Sequence, residues 1–147
     1  MFNPAHLLNL GGTICFLVAI LHVAIIIAGP AAYRYFGAGE DLSSMAERNS
    51  SIPALVTAFI ATVIATFGLY AFSGAGEIHR LPFLGPVLLL IGTIFGLRGL
   101  ALPLQLYFVM TGSRRVQPRE IAFSLVSLLT GFCFLYGTKL NWDFIFN

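Results

Sequence analysis

Residues 81–110 read LPFLGPVLLLIGTIFGLRGLALPLQLYFVM, an apolar run in which Arg98 is the one charged residue. A helix needs roughly 20 predominantly apolar residues to cross the hydrocarbon core of a bilayer. Inside that core every backbone N–H and C=O must be satisfied within the segment, which leaves a helix as the spanning structure for such a run. A span over about 83–110 follows, and three other stretches meet the same test. Residues 1–33 contain no Asp, Glu, Lys or Arg, which places a span at about 9–29, ended by Gly29-Pro30. Another covers about 53–72: Pro53 is favourable in a first helical turn, and Ser73-Gly74 follows the last apolar residue. The fourth, about 121–138, is flanked by Arg119 and Lys139, with Tyr136 and Trp142 suited to a membrane–water interface. The predicted fold is all-α: a polytopic four-transmembrane-helix bundle forming a single transmembrane domain over residues 1–147.

Composition agrees with that reading. Hydrophobic residues make up 58% of the chain and charged residues 10%, against roughly 25% charged in an ordinary soluble domain. The formal charge of +2 is small, and the basic residues do not alternate with aromatics along any stretch, so nucleic acid is not an expected partner. Membrane lipids are. Cys15 and Cys133 both fall inside apolar runs and read as small packing residues. The apolar stretch from Leu7 to Ala28 lacks a basic start and exceeds the ~7–15-residue core of a secretory signal, so the first span is expected to be retained.

Cytoplasmic loops keep an excess of Lys and Arg. The first and third loops hold Arg34, Arg48, Arg114, Arg115 and Arg119, whereas the second loop and the C-terminal segment hold Arg80 and Lys139. Both termini are therefore expected on the non-cytoplasmic side. Small residues recur at helical spacing in every span: Gly11, Cys15 and Ala19; Ala54, Ala58, Ala61, Ala65 and Gly68; Gly92, Gly96 and Gly99; Ser124, Ser127 and Gly131. In lipid, helices associate through such faces because close backbone approach replaces the hydrophobic driving force.

Arg98 resists a purely packing explanation. A charge in mid-span costs roughly 2.5–3.5 kcal/mol on insertion scales. Two structural accounts compete with a functional one: Arg98 snorkels to lipid phosphates, or Pro103 frees the carbonyl of Gly99 and loosens the helix so that Arg98 bonds released carbonyls. In the functional account Arg98 receives an anion, a carboxylate or phosphate suited to its planar fork. Gln105 lies seven residues on, hence on the same helical face, and His22 and Tyr70 are the further expected ligand-binding residues. His22 also reads as an interhelical hydrogen-bonding residue. No Cys/His spacing resembles a zinc or haem site, so no metal or cofactor is expected.

The first loop, 31–51, carries Asp41-Leu-Ser-Ser-Met-Ala-Glu-Arg48, which predicts one short interfacial helix capped by Asp41. Such a helix would bring Glu40 or Glu47 forward as a partner for Arg98. The tetrapeptide Gly-Ala-Gly-Glu occurs at 37–40 and again at 74–77, which suggests either chance in Ala- and Gly-rich sequence or an old duplication of a helix and its cap.

The stretches Pro30-Ala-Ala-Tyr-Arg-Tyr-Phe-Gly-Ala-Gly-Glu40, Leu69-Tyr-Ala-Phe-Ser-Gly-Ala-Gly76, Leu81-Pro82 and Leu97-Arg-Gly-Leu-Ala-Leu-Pro103 resemble a family of small four-span bacterial inner-membrane proteins of unassigned function. The resemblance covers the chain from the first span to the third and implies a bacterial inner membrane, with no activity to carry over. Three functions are then in play. The first is binding of a lipid-like or anionic amphiphilic ligand in the bundle. The second is a role as accessory or assembly subunit of a larger membrane complex, against which a stable homo-oligomer, the other expected partnership, would count. The third is a membrane enzyme acting on a lipid-soluble substrate, placed last because no nucleophile–base pair or catalytic motif is present, so no catalytic residue is assigned.

Overall fold

The structure is a computed structural model in which residues 5–111 and 117–146 are described. Arg114 and Arg115, which carry part of the orientation argument, lie outside the described residues. The elements in chain order are α1 (Ala5–Ala28), α2 (Pro30–Phe36), α3 (Glu40–Glu47), α4 (Ile52–Gly74), α5 (Leu84–Gly99), α6 (Ala101–Met110), α7 (Pro118–Leu140) and α8 (Trp142–Phe146). Among the described residues, four stretches are long and apolar enough to span a bilayer: Ala5–Ala28, Ile52–Gly74, Leu84–Met110 and Arg119–Leu140. Each of them leaves large apolar side chains exposed, among them Leu17, Ile27, Phe59, Leu97 and Phe132. Soluble proteins rarely expose apolar surface on that scale, whereas lipid accepts it without penalty. The protein is an all-α, polytopic membrane bundle.

Where the chain departs from the expected elements, backbone chemistry explains it. The first loop holds two short helices rather than one. Gly29 turns the chain at φ 75°, and Pro30 then starts α2 at its first turn. Gly37 ends α2 in the left-handed region (φ 75°), its N–H bonded to the Arg34 carbonyl and the N–H of Ala38 to the Tyr33 carbonyl. This paired arrangement satisfies the carbonyls that a helix end leaves open. The α3 helix begins at Glu40 after Gly39, so Asp41 lies inside the first turn instead of capping it. There Glu40 and Asp41 complement the positive end of the helix dipole. Asn49 (φ 55°) closes α3 with the same paired bonds, Asn49 N–H to Ala46 and Ser50 N–H to Met45.

The same closure ends α4, but at Gly76 (φ 80°), with Gly76 N–H on Ser73 and Glu77 N–H on Phe72. The left-handed residue is thus the first glycine of Gly37-Ala-Gly-Glu40 and the second of Gly74-Ala-Gly-Glu77. The two tetrapeptides sit two residues out of structural register, which favours chance over duplication of a capped helix. In the third span the helix is interrupted at Leu100, between α5 and α6. Pro103 has no N–H to give the Gly99 carbonyl, so the interruption falls where the ladder lacks a donor.

By its internal contacts the chain falls into two compact units, one comprising the chain up to Ile14 and from Phe67 on, the other Cys15–Thr66. In the first, α5 and α7 make the most extensive helix contact. They meet through glycine: a Cβ at Gly131 would lie 2.6 Å from the Gly96 nitrogen, and one at Gly99 would lie 2.7 Å from the Leu128 Cα. Phe95 stands edge-on to Phe67 and stacks against Phe134, with centroids 6.2 and 6.4 Å apart. Gly12 packs on α4 at Gly68 and Ala71, and Gly137 packs on Leu8. The short α8 turns back so that Ile145 is buried and the Phe146 ring lies over Gly85.

In the second unit α2 packs on α3, and Arg34 forms an ion pair with Glu47. The two side chains are 64% and 45% exposed, so solvent screening limits what the pair contributes. A double-mutant cycle on Arg34→Ala and Glu47→Ala is expected to return a coupling of about 1 kcal/mol or less. A coupling well above that would mean that the hairpin is removed from water in its working environment.

Candidate functional site

The expected ligand-binding residues divide between the units: Tyr70, Arg98 and Gln105 belong to the first, His22, Glu40 and Glu47 to the second. In the second unit Glu47 is engaged by Arg34. Glu40 is exposed at the start of α3. His22 is half-buried in α1 with Nδ1 2.7 Å from the Val18 carbonyl. Since that oxygen only accepts, Nδ1 carries the proton and the imidazole is tied to its own helix.

In the first unit the Tyr70 hydroxyl donates to the Pro82 carbonyl at 3.1 Å, which fixes it beside the start of α5. Arg98 lies fourteen residues past Leu84, about 21 Å along the axis at 1.5 Å per residue. Tyr70 and Arg98 therefore do not share a site. Arg98 and Gln105 do share a face. Gly92, Gly96 and Gly99 line the α5 contact with α7, and Arg98 lies on another face, with buried Ile91 seven residues before it and Gln105 seven after. Leu100 keeps right-handed helical angles (φ −65°, ψ −11°), and its N–H still reaches the Gly96 and Leu97 carbonyls, so the face continues across the break.

Arg98 is exposed and makes no hydrogen bond or ion pair among the described residues. Gln105 is half-buried, and its carboxamide oxygen is fully buried with no donor. The two residues are seven apart, about 10 Å along the axis. A group that offers five donors and no acceptor thus shares a stripe with an acceptor that lacks a donor. Groups of three or more His, Cys, Asp or Glu side chains arranged to hold a metal are absent among the described residues.

A second set of polar contacts was not evident from the sequence. Ser73, fully buried at the end of α4, donates from Oγ to the His79 carbonyl (3.1 Å) and accepts from the Leu81 N–H (2.9 Å). Asn9 Nδ2 donates to Glu77 Oε1 at 2.7 Å, and Arg80 bonds the Ile145 carbonyl. These contacts tie α1, the connection after α4, and α8 together. A serine just before Gly74-Ala-Gly76 was the available signal, since Ser at a helix end bonds neighbouring backbone readily.

Fold and site together define an integral, multi-pass membrane protein in which Arg98, mid-span, has no partner among the described residues. No protein-family model, curated protein or solved structure matches the chain.

Proposed function

We propose that this is a non-enzymatic protein of a bacterial inner membrane that binds a lipid-like, anionic amphiphile, with Arg98 as the contact for the anion. One observation carries the reading: the guanidinium stands in the middle of an apolar span, exposed and with no partner among the described residues. A charge so placed costs roughly 2.5–3.5 kcal/mol on insertion, and a phosphate or carboxylate held by two parallel N–H···O bonds offsets that cost. The exposed side of α5 and α6 is where acyl chains lie, so an amphiphile presents its head group to Arg98 while its tails stay in lipid. Gln105 lines the same face; His22, Tyr70 and Glu47 are bonded elsewhere and contribute less.

The alternative of an accessory subunit has one observation in its favour, that α6 buries none of its own residues. Of the small-residue faces that suggest a partner, those of α5 and α7 are turned on each other, where Gly92 and Gly99 meet α7. Native mass spectrometry of gently solubilised protein separates the readings. Wild type is expected to retain an adduct that Arg98→Gln loses. Identical spectra for both would return Arg98 to a structural role, and a stoichiometric protein partner would favour the accessory reading.

A further inference from the structure

The end of the first unit at which α4 closes and α5 begins carries a group of exposed aromatic side chains, remote from Arg98. Phe83 precedes α5 with left-handed angles (φ 54°, ψ 32°) and is 81% exposed. Such angles cost any residue that has a Cβ, and glycine would take them freely. The backbone around Phe83 is nevertheless pinned: the Pro82 carbonyl accepts from the Tyr70 hydroxyl, and the Phe83 carbonyl accepts from the Val87 N–H at 3.0 Å. Strain that the surrounding backbone holds in place is typical of a side chain with a task. In water an exposed phenyl ring gains nothing to offset that strain, whereas removal of the ring from water does.

The α8 helix presents aromatics at the same end. Asn141 stops α7, its side-chain amide on the Gly137 carbonyl at 3.0 Å, and α8 then crosses this end instead of extending the span. The Phe144 ring lies by Gly76, the Phe146 ring lies over Gly85, and Arg80 bonds the Ile145 carbonyl. Trp142 stacks on Phe146 with centroids 4.1 Å apart, and Trp142 and Phe144 are exposed. The 22 residues Arg119–Leu140 rise about 33 Å, close to the ~30 Å hydrocarbon core, so the chain leaves the core near Leu140 and α8 starts in the head-group layer. The exposed surface of α7, with stacked Phe132 and Tyr136 and then Leu140, leads into it. Among the described residues the charges at this end are Glu77, Arg80, Lys139 and Asp143, two of each sign, which favours neither an anionic nor a cationic surface.

We infer that Phe83 and α8 form an interfacial foot seated in the head-group/acyl boundary of the bilayer, with Phe83, Trp142 and Phe144 inserted and α8 lying along the membrane plane. Aromatic rings are the side chains that suit that layer. The foot takes a bilayer surface whatever its charge, and it is independent of what Arg98 binds.

Trp142 is the one tryptophan of the chain, so its fluorescence reports the foot directly. The full chain is reconstituted in phosphatidylcholine vesicles whose lipid carries bromine either near the head group or near the chain ends. Shallow bromines are expected to quench Trp142 more strongly than deep ones, placing it about 5–10 Å into the boundary, the depth of an interfacial helix. Iodide on both sides of the vesicle is expected to quench it less than it quenches free tryptophan. Phe83→Trp in a Trp142→Phe background moves the sole indole to position 83, where the same profile is expected; both exchanges keep an aromatic ring on an exposed site. Adding phosphatidylglycerol is expected to change neither profile. Iodide quenching as strong as that of free tryptophan, at either position, would put the ring in water and overturn the inference. Protection from bromine and iodide alike would show that protein covers this end, and deep quenching at position 83 would return Phe83 to the side of the span; either result overturns the foot. A profile that shifts with phosphatidylglycerol would mean that charge, not the aromatic rings, seats this end, and would overturn it as well.

Discussion

Gly131→Ala is expected to destabilise the protein by about 3 kcal/mol, the upper end of what a single overpacked methyl costs. The added Cβ would lie 2.6 Å from the Gly96 nitrogen, 2.9 Å from its Cα and 3.1 Å from the Gly92 carbonyl oxygen. All three are backbone atoms, so no rotamer change relieves the clash, and α5 and α7 must separate along their contact. Gly99→Ala meets the Cα and nitrogen of Leu128 at 2.7 and 2.8 Å and is expected to behave alike. Gly96→Ala provides the control: the nearest atom to its Cβ is Leu135 Cδ1 at 4.0 Å. It is expected to be neutral or stabilising by up to about 1 kcal/mol, the helix-propensity gain of Ala over Gly. Thermal unfolding of the three purified variants in the same detergent measures the difference. If Gly96→Ala and Gly131→Ala lost stability equally, α5 and α7 would not cross where the structure places them.

That contrast marks how far the sequence could be read. Four spans were legible because bilayer thickness demands long apolar runs, and little else in a 147-residue chain produces four of them. The small-residue stripe in α5 was legible as a contact face. Which of Gly92, Gly96 and Gly99 is indispensable was not, since that depends on the partner atom opposite each Cα. The break after Gly99 followed from Pro103. The second helix of the first loop is not legible in Gly29-Pro30, because the same pair that stops one helix can start the next, proline being favourable at a first turn. Side-chain preference alone points to Asp41 as the cap, whereas Gly39 delivers the turn by its positive φ of 92°.

The candidate site was legible in one respect. A charge in the middle of an apolar run identifies itself, and its seven-residue relation to Gln105 needs only helical periodicity. Its other expected members depended on tertiary neighbours that a sequence does not display. Glu47 found Arg34, thirteen residues away along the chain, before any longer-range partner. Tyr70 and His22 satisfy their polar atoms on nearby backbone carbonyls. In each case the partner is one that the chain brings near at small entropic cost.

Ser73 shows the same preference with a larger consequence. Its hydroxyl bridges two backbone groups of the connection after α4, the His79 carbonyl and the Leu81 N–H, and the residue has no exposed surface. Ser73→Ala removes both bonds and leaves an acceptor and a donor part-buried, each costing about 1–3 kcal/mol if no water reaches it. The expected loss is about 2–4 kcal/mol, because partial hydration of the connection recovers some of the sum. Ser73→Thr keeps the hydroxyl but adds a methyl to a site with no free surface, so Ser73→Cys, closer in size and a weaker donor, is the better graded comparison and should fall between wild type and alanine. The loss has a location as well as a size. Amide exchange is expected to accelerate at Ile78–Leu81 in Ser73→Ala, while α5 and α7 keep their protection, since their contact is glycine-mediated and does not involve the connection. Faster exchange across α7 as well would mean that the connection after α4 governs the whole bundle, and that Tyr70 and Arg80, which bond the Pro82 and Ile145 carbonyls, act with Ser73 as one cooperative fastening.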